Sequence, residues 1–205
     1  MISGRVTSTV RRFLLEGMLI VAAVAIVAAP EAGWSQPPKS RTAASTLASL
    51  RAGQWVELEG TVQATSPLLC TEVKQLAGDF LDDDYSITGV VTAVDASKRE
   101  FAIRGCRIRV TDRTIYGNDE GTLRGFSDLR PGLLVDVEGT FLQSLTLVAA
   151  EVDDESSEMA LKPRLKDQVE VVGKLEQVDV RKRVVTVMGI TFQITDKTKL
   201  RSVLR

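Results

Sequence analysis

Carboxylates in pairs are the first residues of this sequence that offer chemistry. Glu57 and Glu59 stand two apart, as do Asp136 and Glu138, and that spacing puts both members of a pair on one face of a β-strand. Two neighbouring carboxylates can divide acid and base work between them, but on an exterior strand face they are ordinarily solvated. Other catalytic equipment is missing. None of the 205 residues is His, which removes the commonest general base and metal ligand and rules out Ser-His-Asp and Cys-His catalysis. No phosphate-cradling glycine loop occurs. The acidic runs Asp82-Asp83-Asp84 and Asp153-Asp154-Glu155 lack the glycine-spaced loop of a calcium site and read as solvated connections. The expectation is a protein that is not an enzyme, with no catalytic residue, no cofactor and no metal.

Binding chemistry is the alternative. Lys98, Arg99, Arg104, Arg107, Arg109 and Arg113 make one stretch basic. Nucleic acid would need stacking aromatics beside them, and only Tyr85, Phe101 and Tyr116 are near, with Phe101 alternating toward the core. An anionic envelope polymer or an envelope protein is the better partner for that stretch, and the formal net charge of -1 leaves no global nucleic-acid footprint. The candidate binding face is Trp55, Arg104, Arg107 and Arg109. Trp55 falls beside Glu57 and Glu59, opposite Val56 and Leu58, where it serves as an anchor for a partner, as the cover of a barrel end, or as packing where two barrels touch. The two cysteines, Cys70 and Cys106, would meet an oxidising compartment in an exported chain and form a disulfide. They align with the apolar positions Ala149 and Ile190, so two buried thiols is the competing assignment.

These side chains hang on a repeated unit, complete only from Tyr85 to Asp153. A shift of 84 residues lays its first half on the stretch from Val169, and Gly89, Val94, Asp95, Arg99, Gly105, Thr111, Asp112 and Thr114 recur. A shift of 79 residues lays its second half on the stretch from Ser49. Period-two alternation argues strands throughout: Phe101 and Ile103 oppose Ala102 and Arg104, and Cys106, Ile108 and Val110 oppose Arg107 and Arg109. Gly105 and Gly189 stand where a tight turn wants positive φ. Three strands, a connection through Phe126 and Asp128, and two more strands give five per unit, the layout of a small OB-like barrel, with a sandwich as the alternative because strand order is not readable from the sequence. The expected fold is all-β, with tandem small antiparallel OB-like barrels. One is contiguous, at residues 85–153. The other is assembled from N- and C-terminal halves, with 47–74 supplying the last two strands and 169–200 the first three; exchange of halves between two chains and a pair of open, unpaired ends are the rival arrangements. Left alone, either half would expose strand edges.

Residues 1–35 have a basic start, a 12-residue apolar run from Met18 to Ala29, and then Pro30, Ala32, Gly33 and Ser35. That is the layout of a signal peptide, since a spanning helix needs roughly 20 apolar residues. Residues 36–46, rich in Pro, Ser, Thr and Ala, read as a flexible tether, although Thr42 to Leu50 could form a short helix. The mature protein is therefore expected to be periplasmic or secreted, with no stable membrane span.

The series G-V-V-T-A-V-D, F-A-I-R-G, R-V-T-D-R-T, D-L-R-P-G and V-E-G-T-F resembles a bacterial envelope family known only as a domain of unknown function (DUF5666-like), whose members string such modules in tandem. The module is also similar to periplasmic bacterial OB-fold proteins. The resemblance covers Leu47 to Leu200 and implies an exported β module that binds something, with no catalytic residue to carry over. The functional expectation is a non-catalytic binding or interaction module of the cell envelope with an unidentified ligand. A self-associating structural component is the alternative, and a carboxylate-based hydrolase comes third.

Overall fold

The computed structural model describes residues 42–64, 66–76, 85–117, 123–142 and 145–202. Residues 1–35, expected to be a signal peptide, residues 36–41 of the expected tether and the Asp82-Asp83-Asp84 run lie outside them. In chain order the elements are α1 (Ala43–Ser49), β1 (Trp55–Thr61), β2 (Leu68–Gln75), β3 (Tyr85–Asp95), β4 (Glu100–Ile103), β5 (Cys106–Arg109), β6 (Ile115–Gly117), β7 (Leu134–Leu142) and β8 (Thr146–Asp154). They continue with α2 (Ser156–Leu161), β9 (Gln168–Lys174), β10 (Gln177–Asp179), β11 (Val184–Val187), β12 (Ile190–Gln193) and β13 (Lys199–Ser202). Among the described residues no helix is long and apolar enough to cross a membrane.

The contiguous unit closes into a five-stranded barrel. β3 pairs with β4, β4 with β5, β5 in parallel with β8, β8 with β7, and β7 back with β3. Alternation sends Ile87, Val91, Phe101, Ile103, Ile108, Val135, Val137, Leu147 and Val152 into its interior, each at most 2% exposed. The outer halves make a second ring in the same order, through β10–β11, β11–β12, β12–β2 in parallel, β2–β1 and β1–β9. β9 and β10 serve as one bent strand, and the break between them is bridged where Glu176 N–H donates to the Thr186 carbonyl at 2.9 Å.

The two rings agree residue by residue. Ile87 faces Val137 in one, and its counterpart Val171 faces Leu58 in the other. The Thr114 hydroxyl donates to the Ala149 carbonyl at 2.8 Å, and the Thr198 hydroxyl donates to the Cys70 carbonyl at 2.9 Å. Each of these hydroxyls also accepts from the amide three residues back, at 2.9 Å in both. The recurring Thr-Asp-x-Thr motif thus ties the end of the third strand to the fifth. The turns recur as well: Arg104 and Gly105 both take positive φ, as do Met188 and Gly189, the pattern of a type I′ hairpin.

Three elements depart from the expected layout. Residues 43–46 do not belong to a tether: they open α1, whose Ala43, Thr46 and Leu47 are buried, so this apolar spacing closes the second barrel instead of leading to it. The Ala43 amide donates to Asp196 Oδ1 at 2.8 Å, fastening the N-terminal piece to the C-terminal one. The connection 154–167 folds into α2 and a 3-10 helix at Pro163–Asp167. Each barrel also carries a sixth short strand, β6 on β8 and β13 on β2, both parallel.

The barrels are joined through their first strands. β9 pairs with β1 over its whole length and, on its other edge, with β3 at three positions: Ser86 faces Val172, Ile87 faces Val171 and Thr88 faces Glu170. Because Ser86 is the counterpart of Glu170 and Thr88 that of Val172, this seam is locally two-fold about Ile87 and Val171. It is a self-complementary contact made inside one chain.

Candidate functional site

The seam turns two modest strand faces into one large one. Side chains directly opposite across a ladder lie on the same side of the sheet. The row Glu72, Glu59, Glu170, Thr88, Asp136 and Asp153 runs in register over β2, β1, β9, β3, β7 and β8. The next row is Lys74, Glu57, Val172, Ser86, Glu138 and Glu151. Eight of these twelve positions carry carboxylates, drawn from both barrels. Each points away from the barrel interiors because its strand neighbours, Leu58, Val73, Ile87, Val135, Val137, Val152 and Val171, fill them.

Part of this charge is compensated. Lys74 Nζ lies 2.8 Å from Glu57 Oε2, Arg201 Nε lies 2.8 Å from Glu72 Oε1, and the Thr88 hydroxyl donates to Asp136 Oδ1 at 2.7 Å. At the centre, Glu57, Glu59 and Glu170 each bring one carboxylate oxygen within 4.8 Å of the others, all half-buried. Burial, then the charges of Glu57, Glu59 and Asp136, push Glu170 up to about 8, with Lys74 pulling the other way. Burial, then Glu72 and Glu57, raise Glu59, opposed by Arg201 and Lys199. Three oxygens are about half of what a hard cation takes, and Lys74 already occupies one side of Glu57, so the group has the chemistry of carboxylates sharing a proton.

The residues singled out from the sequence fall on different surfaces. Trp55 is 8% exposed and packs in a small cluster with Leu76, Val172 and Tyr85, its ring centroid 4.9 Å from that of Tyr85 and Lys174 Nζ 5.2 Å above it. That is the packing alternative: Trp55 begins β1 beside the seam, and the neighbouring barrel's first strand covers it. Arg107 and Arg109 point outward from β5, while Arg104 sits in the β4–β5 turn. Much of this side is neutralised locally. Arg109 Nε and Nη2 both donate to Glu100 Oε1, at 2.9 and 2.7 Å, Arg99 pairs with Asp112, and Lys98 Nζ lies 2.9 Å from Asp95 Oδ2. The expected binding face of Trp55 with the three arginines is therefore not one surface.

The disulfide also gives way to its alternative. Cys70 and Cys106 are free thiols, each 1% exposed, on β2 of one barrel and β5 of the other. Each fills an inward apolar position in its own core, and burial pushes both thiols up to about 12.

Glu57, Glu59, Asp136 and Glu138 were legible as strand-face carboxylates; Glu170 was not. Its counterpart in the complete unit is Ser86, so the repeat gave no reason to single it out. The signal lay in the register: pairing first and fourth strands, as in the complete unit, puts Glu170 opposite Glu59.

Residues 88–153, from within β3 to within β8, match the model of DUF5666, a domain of unknown function. Among solved structures, the fimbrial biogenesis protein PilY2 from Pseudomonas aeruginosa PAO1 is 18% identical over 38% of this chain and 95% of its own, with a TM-score of 0.31. No curated protein matches the chain.

Proposed function

We propose that this chain is a non-catalytic interaction module of the bacterial envelope, two OB-like barrels locked into one platform, and that its working surface is the carboxylate face across the seam. The observation that carries this proposal is the unbroken register of Glu72, Glu59, Glu170, Thr88, Asp136 and Asp153 over six strands. Like charges directly opposite one another weaken a sheet, so a row of them is costly to keep in a surface with no use for it. Such a face fits a cationic partner, a Lys- or Arg-rich protein segment, and attracts it from a distance in a salt-dependent way. An exported location is supported by the layout of residues 1–35. The absence of His and the pairing of Arg109 on β5 with Glu100 leave hydrolysis and anionic-polymer binding with less support than a cationic partner.

The test is titration of the full mature chain with an oligolysine peptide at rising salt, beside the variants Asp136→Asn with Glu138→Gln, and Arg107→Ala with Arg109→Ala. Binding that weakens with salt and falls at least tenfold in the carboxylate variant alone is the expected result. Loss confined to the arginine variant, or capture of an anionic polymer by the unaltered chain, overturns the assignment.

A further inference from the structure

The sheet that carries the carboxylate face extends by one short strand at each end, β13 beyond β2 and β6 beyond β8. Among the described residues β13 pairs only with β2 and β6 only with β8, so each turns a second backbone edge away from the sheet. The two ends are counterparts in the repeat but opposite in charge. Lys199 and Arg201 on β13 stand opposite Glu72 and Lys74, which gives that end three cations and one carboxylate. At the same places β6 carries Ile115 and Gly117, opposite Glu151 and Asp153, two carboxylates and no cation.

The β6 end is also shaped to receive another strand. Ile115 is 61% exposed, an apolar side chain on an edge of the kind that proteins ordinarily guard with charge. A Cβ built on Gly117 would run into Asp153 Oδ1 and lie 3.5 Å from Glu151 Oε1, so both carboxylates reach over β6. On β13 the charge is in place. Lys199 is exposed, and Arg201, whose Nε lies 2.8 Å from Glu72 Oε1, keeps 65% of its side chain exposed.

We propose that copies of this chain associate head to tail, the β6 edge of one against the β13 edge of the next. Five antiparallel pairings separate β8 from β2, and β6 and β13 run parallel to those two strands, so the new pair is antiparallel and continues the sheet. Residues directly opposite lie on one side of a sheet, which sets Lys199 and Arg201 beside Ile115 and Gly117. Their aliphatic stems cover Ile115, and their charged ends reach Asp153 and Glu151 across the gap left by the glycine. Like edges repel: β6 against β6 sets carboxylates against carboxylates, and β13 against β13 sets cations against cations. The contact is therefore heterologous, and a bound pair still offers one edge of each kind. It goes beyond the cationic partner proposed for the face, since it is made at the two ends of that face and by a second copy.

The experiment is sedimentation velocity of the full mature chain at concentrations rising to about 1 mM, at low and high salt. Two variants carry it. Ile115→Lys with Asp153→Lys gives the β6 end the residue type that the β13 end already has at those places, in Lys199 and Lys74. Lys199→Glu with Arg201→Glu makes the β13 edge acidic. The unaltered chain should associate, less so at high salt, and each variant alone should associate at least tenfold more weakly. An equimolar mixture of the two should associate again, because every edge then meets its opposite. Ile115→Lys alone serves if the double variant does not fold. Asp136→Asn with Glu138→Gln, which removes charge from the face but not from its ends, should associate as the unaltered chain does. The proposal fails if the unaltered chain stays monomeric throughout, if either edge variant associates as well as it does, or if the mixture stays monomeric. It fails too if the Asp136 and Glu138 variant loses association as fully as the edge variants, since charge over the whole face would then be responsible.

Discussion

Gly60 and Phe192 make the sharpest available test of how the second barrel is packed. Gly60 lies on β1, and a Cβ built there would stand 2.7 and 2.8 Å from Cε1 and Cδ1 of the Phe192 ring. Carbon atoms in contact prefer about 3.5–4.0 Å, so the overlap is close to an ångström. Phe192 is 0% exposed, and its ring has nowhere to retreat. Overpacking of this kind costs about 1–3 kcal/mol, against about 0.5–1 kcal/mol returned by replacing a strand glycine. Gly60→Ala should therefore lose about 1–2 kcal/mol. Phe192→Leu should lose about as much through the void it leaves, but in that background Gly60→Ala should be nearly free, a coupling of about 1–2 kcal/mol. The complete barrel supplies the control. At Gly139, the counterpart of Gly60, an added Cβ would run into the backbone of Val148 and Ala149, so Ile108→Val should not rescue Gly139→Ala. Urea unfolding followed by far-UV circular dichroism and by Trp55 fluorescence, with m-values compared, measures all of these. If the losses of Gly60→Ala and Phe192→Leu simply add to within about 0.5 kcal/mol, the ring is not what excludes the methyl group and the packing argument is refuted.

Two further outcomes follow from paired features. Thr114→Val and Thr198→Val each strip a buried hydroxyl that donates to a carbonyl and accepts from an amide, so each should cost about 1–3 kcal/mol in the same unfolding assay; a full loss in one and none in the other would show that the shared motif is not a shared tie. Cys70 and Cys106, buried and with their thiolates disfavoured, should resist alkylation in the folded chain and yield two reactive thiols in denaturant without reductant, whereas none in denaturant would mean a bridge after all.

Sequence alone made five strands of each unit and the complementarity of the two halves legible, but neither β6 nor β13, nor whether the halves close within one chain. Strands depend on local alternation, and alternation is visible residue by residue, as with Phe101 and Ile103 turned inward and Arg107 and Arg109 outward. The repeat carried register as well, because Gly139 and Gly60, or Thr114 and Thr198, occupy positions where only a narrow set of residues fits. A short helix near α1 was legible as an alternative to the tether, but its docking on the second barrel was not, because α1 is held by Asp196, 153 residues away from Ala43.

Tertiary structure decided everything at the seam. Nothing in the order of residues says that the first strands of two barrels will meet edge to edge, because the free edge of a strand is a backbone property that its side chains do not encode. That meeting buried Trp55 under Tyr85 and kept it from serving as an anchor. It also brought Glu170 within reach of Glu59, Glu57 and Asp136, which lie more than thirty residues away along the chain. Charge clustering is a long-range quantity, set by which strands become neighbours. Two acidic pairs that read as separate solvated faces therefore became a single surface only when β9 was laid between β1 and β3.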